Sequence, residues 1–339
     1  MATTTASGTS AGASASSRDG SADVVDARAI VKRFGAVTAV RGLTFRVPAR
    51  CVCGLLGPNG AGKSTTIRML AGVLVPDEGE LRVGGHDVRR EPDAARSTIG
   101  YLPETAPVHP ELRVREMLAY RAALVGLRGS QAKAAIDRAI DACSLGQVRG
   151  RLVGALSRGY RQRVGLAAAI LAHADGGPRL VILDEPSVGL DPHQLLEFRS
   201  LVRELGRERT VLLSSHILAE IEATCDRAIL VANGSIVAEG AIDELRSRGG
   251  DRYVVETRCA DARAALASVR DLVVVHDESL GDGFRRVVGE GGGVRDLREA
   301  IAAALAAAGA TTRELRREQV SLESLFVTAT RATSMEARA

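Results

Sequence analysis

Apolar and polar positions along the chain form two kinds of pattern, which predict two kinds of element. Short apolar or alternating runs bounded by glycine or charged residues predict strands, and apolar positions three or four residues apart predict helices. Strands are predicted for the segments VDARAIVKRF, LTFRV, CVCGLL and IGYLP, with a hairpin at ELRVGGHDV. A helix is predicted from Gly62 or Lys63 to about Ala71.

The middle of the chain changes to helical spacing, and strands then alternate with helices. Residues 113–175 are helical in period, and the block from about 105 to 175 is predicted to be an inserted helical subdomain. Strands are predicted next for RLVILDEP, RTVLLSS and both halves of DRAILVANGSIVAEG, and helices for HQLLEFRSLVREL and ILAEIEATC. This order predicts an α/β fold whose sheet is parallel at its centre, preceded by an antiparallel β subdomain.

The carboxy-terminal part has a pattern of its own, which follows a predicted linker, RSRGGD, at 246–251. Its strand-helix-strand-strand-helix-strand order is typical of a ferredoxin-like α+β domain, closed by a short capped helix at SLESLFVTAT. We therefore expect an accessory domain at 251–331 after a main domain at 24–246. Residues 1–23 lack the basic and apolar parts of a signal peptide and are predicted to be a disordered tail.

Composition narrows the classes of function. The net charge of +4 indicates a polyanion partner only weakly, and no basic run is interleaved with aromatic residues, so a nucleic-acid partner is not expected. The five cysteines include no C-x-x-C pair, which disfavours a zinc site or a disulfide framework and fits a reducing cytosol. Cys51 and Cys53 are predicted to be buried thiols. No run approaches the roughly 18 apolar residues of a membrane helix, so the protein is expected to be soluble by itself.

The segment GPNGAGKS, which follows an apolar strand and precedes a helix, fits the phosphate-binding pattern G-x-x-x-x-G-K-[ST] without a mismatch. Its glycines let backbone N–H groups turn toward phosphate oxygens, and the helix N-terminus adds partial positive charge. Lys63 is predicted to reach the β- and γ-phosphates of a nucleotide, and the Ser64 hydroxyl to bind Mg²⁺. A glycine-rich turn without a ligand is the weaker interpretation. The predicted nucleotide-binding residues are Gly57, Pro58, Asn59, Gly60, Ala61, Gly62, Lys63, Ser64 and Thr65.

Two carboxylates end the apolar strand RLVIL, at Asp184 and Glu185. Such a pair is costly unless a cation or a reacting water requires it. Asp184 is predicted to hold Mg²⁺, directly or through water, and Glu185 to orient or deprotonate the attacking water. The alternative is an acid pair that caps the chain before Pro186.

The segment LSRGYRQR begins another predicted helix, with Ser157 as its N-cap. The free N–H groups of this helix and the backbone of Gly159 are predicted to approach a phosphate, which would come from a second copy of the fold. A simple capped helix without a ligand is the alternative.

Together, GPNGAGKST, LSRGYRQR, ILDEPSVGLD and SSH resemble the ABC ATPase family over residues 24 to about 245, which implies a P-loop NTPase core. The family usually has LSGGQ where this chain has LSRGY. Ser157 and Gly159 are kept, Arg158 stands at a variable position, and Tyr160 replaces the glutamine.

The resemblance also implies roles for four further residues. Asp191 of SVGLD matches a residue that couples two nucleotide sites, and His216 matches a histidine that contacts the γ-phosphate. Phe34 matches an aromatic residue that stacks on adenine. Glu104 occupies a position where the family usually has a glutamine that contacts Mg²⁺ and the attacking water. The simpler alternatives are a structural histidine, a core phenylalanine and a solvent-facing glutamate.

A narrower likeness is carried by GYLPE, DEPSVGLD and SLESLFV. These segments resemble bacterial exporter ATPases whose six-helix permease is a separate chain, such as those of drug-resistance, sodium-efflux and gliding-motility systems. The resemblance implies an ATP-hydrolysing subunit that dimerises with a second copy or a paralogue around two ATP, at the cytoplasmic face of the plasma membrane. A soluble ABC ATPase of translation or DNA repair is the alternative, although these usually carry two cassettes or a long coiled coil. A regulatory protein with little turnover is disfavoured by intact Glu185 and His216.

Overall fold

The computed structural model describes residues 23–171, 177–248, 251–259, 261–291 and 296–319. The predicted tail at 1–22 and the predicted closing helix at SLESLFVTAT lie outside these residues. Within them, no helix combines the length and the apolar character needed to cross a membrane.

A four-stranded antiparallel sheet forms from the first part of the chain, in the order β2-β1-β4-β5. Val25 lies between Val47 and Val83 in its register, and all three side chains are buried. β2 begins six residues before the predicted LTFRV strand, because Phe34 and Val37 pair directly across a tight turn. The strands are β1 (Val25–Phe34), β2 (Val37–Val47), β4 (Glu78–Val83) and β5 (His86–Asp87).

The central sheet has the order β10-β9-β3-β8-β7-β6, and only its edge strand β10 is antiparallel to its neighbour. This confirms the predicted α/β fold. Because β3, β8 and β7 are parallel neighbours, the segments that follow them meet at one edge of the sheet. The strands are β3 (Val52–Leu56), β6 (Ile99–Leu102), β7 (Leu180–Leu183), β8 (Thr210–Ser215), β9 (Arg227–Ala232) and β10 (Ser235–Ala241).

Helices surround this sheet, and three of them (α3, α4 and α5) are inserted between β6 and β7 with two short 3₁₀ helices. The insertion shares one apolar core with the sheet, in which Met117 packs in the same cluster as Leu102 and Leu183. The helices are α1 (Lys63–Leu70), α2 (Pro92–Ser97), α3 (Val114–Leu124), α4 (Gly129–Ala142), α5 (Arg158–Ile170), α6 (Pro192–Glu208), α7 (Leu218–Thr224) and α8 (Ile242–Arg248), and the 3₁₀ helices are Gly146–Val148 and Val153–Ala155.

The carboxy-terminal elements form a third sheet in the order β12-β13-β11-β14, with every neighbouring pair antiparallel. This order and the two helices match the predicted ferredoxin-like arrangement. A separate core includes Tyr253, Val287 and Ile301. The elements are β11 (Asp251–Arg258), α9 (Ala262–Ala267), β12 (Leu272–Gly281), β13 (Phe284–Gly291), α10 (Arg298–Ala307) and β14 (Thr311–Gln319).

The linker prediction at 246–251 was wrong at both of its ends. Residues 246–248 belong to α8, and Asp251 already pairs with Gly291 and Gln319 in the third sheet.

The prediction of buried thiols at Cys51 and Cys53 is confirmed. Burial raises the pKa of the Cys51 thiol to about 11 and that of Cys53 well above its ordinary value. Both thiols are therefore protonated and unreactive at neutral pH.

Candidate functional site

The loop between β3 and α1 is held by backbone contacts on both sides. Gly57 lies so close to the Val231 carbonyl oxygen of β9 that a side chain there would collide with it. Gly62 has a φ of +101°, and a Cβ at this position would lie 2.5 Å from the Ala39 carbonyl oxygen. Only glycine satisfies both positions. The loop can therefore direct its N–H groups, and those of the first turn of α1, toward a ligand.

Lys63 is the first residue of α1, and its side chain is only 6% exposed. Its ammonium Nζ donates to the Gly57 carbonyl oxygen at 2.8 Å and to that of Pro58 at 3.3 Å. The same nitrogen lies 3.7 Å from Glu185 Oε1. The lysine thus connects the phosphate-binding loop to the acidic end of β7.

One hydroxyl of the neighbouring strand bonds to both acidic residues after β7, to the side chain of Asp184 and to the backbone of Glu185. Ser214 at the end of β8 donates from Oγ to Asp184 Oδ1 at 2.7 Å, and the Glu185 N–H donates to the same Oγ at 2.9 Å. Glu185 has a φ of +47°, an uncommon conformation for a residue with a side chain. The Ser214 bond helps to fix this conformation, which directs the Glu185 side chain toward Lys63.

His216 follows β8 and approaches Glu185 from the other side. Its ring Nδ1 lies 2.6 Å from Glu185 Oε2, so that the Nδ1–H donates to the carboxylate and Nε2 is the remaining ring nitrogen. Tyr101 of β6 belongs to the same region, and burial, followed by the carboxylate of Asp184, raises the pKa of its hydroxyl. The structure therefore brings together the lysine, the glutamate and the histidine that the sequence predicted.

A cleft of about 520 Å³ opens beside these groups. Nine of the predicted site residues line it, together with two that sequence reasoning did not identify, Ala39 and Val188. The predicted ones are Asn59, Gly60, Gly62, Lys63, Ser64, Thr65, Glu104, Glu185 and His216.

The other predicted residues do not line the cleft. Phe34, at the end of β1, is 48% exposed, with the Lys32 ammonium 5.8 Å from the centre of its ring. Its role in adenine stacking stays a prediction. Within the loop, the Ala61 N–H donates to the Pro58 carbonyl oxygen. Asp184 accepts a hydrogen bond from the Ser214 hydroxyl.

The predicted residues of LSRGY and SVGLD lie close together and are not among the residues that line the cleft. Ser157 caps α5 by accepting from the Tyr160 N–H at 3.4 Å, and Asp191 caps α6 by accepting from the Gln194 N–H at 2.9 Å. A Cβ at Gly159 would lie 2.5 Å from the Gln194 side chain, so the starts of the two helices are in close contact. The N-cap prediction for Ser157 is confirmed.

Ser214 was missed because its role depends on a tertiary contact. The available signal was the pair Ser214–Ser215 at the end of a buried strand, next to His216. Two hydroxyls at that place need buried acceptors.

Comparison with known proteins agrees with this geometry. The family model described as ABC transporter matches residues 40–188. The daunorubicin/doxorubicin resistance ATP-binding protein DrrA of Streptomyces peucetius is 39% identical over 261 residues, which cover 75% of this chain and 78% of that protein. The chain belongs to the family of ABC transporter ATP-binding subunits.

Other members of the family align over similar lengths. The Nod factor export ATP-binding protein I of Paraburkholderia xenovorans (strain LB400) is 38% identical over 217 residues, 62% of this chain and 69% of that protein. A solved structure of an ATP-binding subunit of an ABC transporter superposes with a TM-score of 0.58 and 29% identity, over 66% of this chain and 92% of that chain. As a member of this family, the subunit binds ATP, and membership also implies ATP hydrolysis.

Proposed function

We propose that this ABC subunit is a Mg²⁺-dependent ATPase that powers an exporter. The observation that carries the proposal is the contact of Glu185 with both His216 and Lys63 in one cleft, at 2.6 and 3.7 Å. The relatives named for daunorubicin/doxorubicin resistance and Nod factor export support transport out of the cell. The permease is a separate membrane chain, and the subunit works at the cytoplasmic face of the membrane.

The residues of the cleft suit a nucleotide with a hard cation. Ser64 lines the cleft, and Asp184, the neighbour of Glu185 in the chain, would supply a carboxylate. Mg²⁺ is usually bound by one or two carboxylates together with substrate phosphates and water, so phosphate oxygens would supply part of the coordination. Bound Mg²⁺ would neutralise phosphate charge during the reaction.

The proposal gives each of these site residues a defined role. Lys63 exchanges its bonds to the Gly57 and Pro58 carbonyl oxygens for the β- and γ-phosphates of ATP. Glu185 accepts the proton of the attacking water, and the His216 Nδ1–H holds its carboxylate in place. Helix starts such as those at Ser157 and Asp191 offer N–H groups to a phosphate, and these two would serve the ATP of a second copy.

The decisive experiment replaces Glu185 by glutamine, which cannot accept the proton. We expect ATP hydrolysis to fall by about 10²–10⁴-fold, the usual loss when a general base is removed. ATP binding should persist because Lys63 is unchanged, and an ATP-bound dimer should accumulate in size-exclusion chromatography. Glu204→Gln, the same change at an exposed position of α6, is the matched control. A normal rate in Glu185→Gln would exclude this residue as the base.

A further inference from the structure

A buried carboxylate lies outside the cleft, in the first turn of α7. Glu220 is only 7% exposed, and its Oε2 accepts two hydroxyl bonds, from Ser187 Oγ at 2.6 Å and from Ser215 Oγ at 2.8 Å. Arg199 of α6 lines a small cavity together with Glu220 and Ser187. A buried carboxylate needs such partners, because removal from water is costly for a charge.

The two serines belong to the two segments that carry the reacting groups. Ser187 lies two residues after Glu185, and Ser215 immediately precedes His216. Ser215 Oγ also accepts from the Ile217 N–H at 3.0 Å, so the residues on both sides of His216 are tied to the same hydroxyl. Glu220 therefore joins the chain that follows Glu185 to the chain that carries His216.

This connection supplements the one made by the sheet. Leu183 and Leu213 are the last register partners of β7 and β8, and Ser214 holds Asp184 and the Glu185 N–H just beyond them. Glu185 itself has the uncommon φ of +47°, which persists only where the surrounding structure fixes it. The two hydroxyl bonds to Glu220 fix the chain on the far side of that residue.

We propose that Glu220 is a positioning residue for ATP hydrolysis, one that sets the 2.6 Å contact between His216 and Glu185. The inference rests on the proposed function, since it assigns the geometry of that reaction to a residue that does not line the cleft. Without the carboxylate, Ser187 and Ser215 lose their shared acceptor, and the two segments can move apart. A displacement of about 1 Å in such a site can lower a rate by roughly 100-fold.

The test uses the full chain and compares kcat with the KM for ATP. We expect Glu220→Ala and Ser187→Ala to lower kcat by about 10- to 100-fold, with little change in KM or in ATP binding. Glu220→Gln keeps an acceptor oxygen and should lose less. Ser187→Thr keeps the hydroxyl at a half-buried position and should retain activity. Glu204→Gln is the control for the charge change.

A double variant separates positioning from a merely structural role. If Glu220 acts through Ser187, then Ser187→Ala should lower kcat no further in the Glu220→Ala background. Additive losses, a wild-type kcat in both single variants, or a parallel loss of ATP binding and melting temperature would overturn the proposal. Glu185→Gln is measured in the same assays and tests the proposed function separately, because its expected loss of rate does not depend on the role of Glu220.

Discussion

At the scale of single residues, Glu104 adds a negative charge to the site at a position where the family usually has a neutral glutamine. Its side chain lines the cleft with Lys63 and Glu185. An ionised glutamate offers only acceptors, whereas a glutamine also offers donors. The carboxylate attracts a divalent cation and repels Glu185 and the γ-phosphate, so Glu104 should matter most for the cation dependence of the rate.

We therefore expect Glu104→Gln to raise the Mg²⁺ concentration at half-maximal ATPase activity by roughly thirtyfold, the factor given by ~2 kcal/mol between a carboxylate and a divalent cation about 4 Å apart in water. Glu104→Ala should also lower the maximal rate, because it removes every side-chain acceptor. The measurement is a Mg²⁺ titration of hydrolysis, with the exposed Glu111→Gln as the control. Superimposable titrations for the wild type and both Glu104 variants would remove this residue from the metal site.

The sequence predicted those site residues whose chemistry is contained in a short segment. Lys63 belongs to a contiguous loop pattern, and Glu185 ends an apolar strand, so both could be located without the fold. Ser214 and Glu220 could not, because each acts on a residue about 30 positions away and the contact exists only after β7 and β8 pair. The local sequence around a serine or a glutamate does not indicate such a contact.

At the scale of elements, the third sheet contains an ion-pair cluster at its centre. Glu256 of β11 is 6% exposed and accepts from Arg286 Nε at 3.0 Å and from Arg313 Nε at 2.7 Å. The hydrogen bonds from Arg313 and then Arg286 lower the pKa of the Glu256 carboxyl. The cluster therefore ties three neighbouring strands, β13, β11 and β14, across one face of the sheet.

This lowered pKa predicts a pH dependence of stability with a definite sign. The stabilisation is complete above the unfolded pKa of about 4.3 and is lost as the pH falls through the folded value. We expect Glu256→Gln to lower the melting temperature at pH 7, and the gap from wild type to close below about pH 4. Thermal unfolding followed by circular dichroism measures this, with the exposed Glu290→Gln as control. A gap that is independent of pH would indicate lost packing rather than a lost ion pair.

Element boundaries were less predictable than element types. The periodicity predicted both the parallel sheet and the carboxy-terminal order correctly, because alternation and helical spacing are properties of long segments. It missed the end of α8, which runs to Arg248, because the polar segment RSRGGD at 246–251 was interpreted as a linker. Ile242 and Leu245 of that helix are buried, so tertiary packing stabilises a helix that polar composition alone did not indicate.

At the scale of the whole molecule, the proposed dimer predicts how two inactive variants should combine. Lys63 and Glu185 line one cleft, whereas Ser157, at the start of α5 and close to the start of α6, is not among its lining residues. Each composite site would then take Lys63 and Glu185 from one copy and Ser157 from the other. A substitution in either of the two copies that form a composite site can therefore inactivate that site.

We expect Ser157→Arg and Lys63→Ala each to abolish most of the ATPase activity, the first by blocking closure and the second by removing the phosphate-binding charge. A mixture of the two should recover activity, because every heterodimer has one site with both defects and one site with neither. With random pairing into symmetric and mixed dimers, about a quarter of the wild-type rate is expected if one intact site turns over alone.

The control mixture combines Lys63→Ala with Glu185→Gln. These two residues lie 3.7 Å apart in the same chain, so each heterodimer would have one site without the lysine and the other without the glutamate. No recovery is expected, although both mixtures contain equal amounts of inactive protein. The comparison is a steady-state ATPase assay of the two mixtures at the same total concentration. Equal rates in the two, or full activity of Ser157→Arg alone, would mean that the α5 start does not serve the ATP of a second copy.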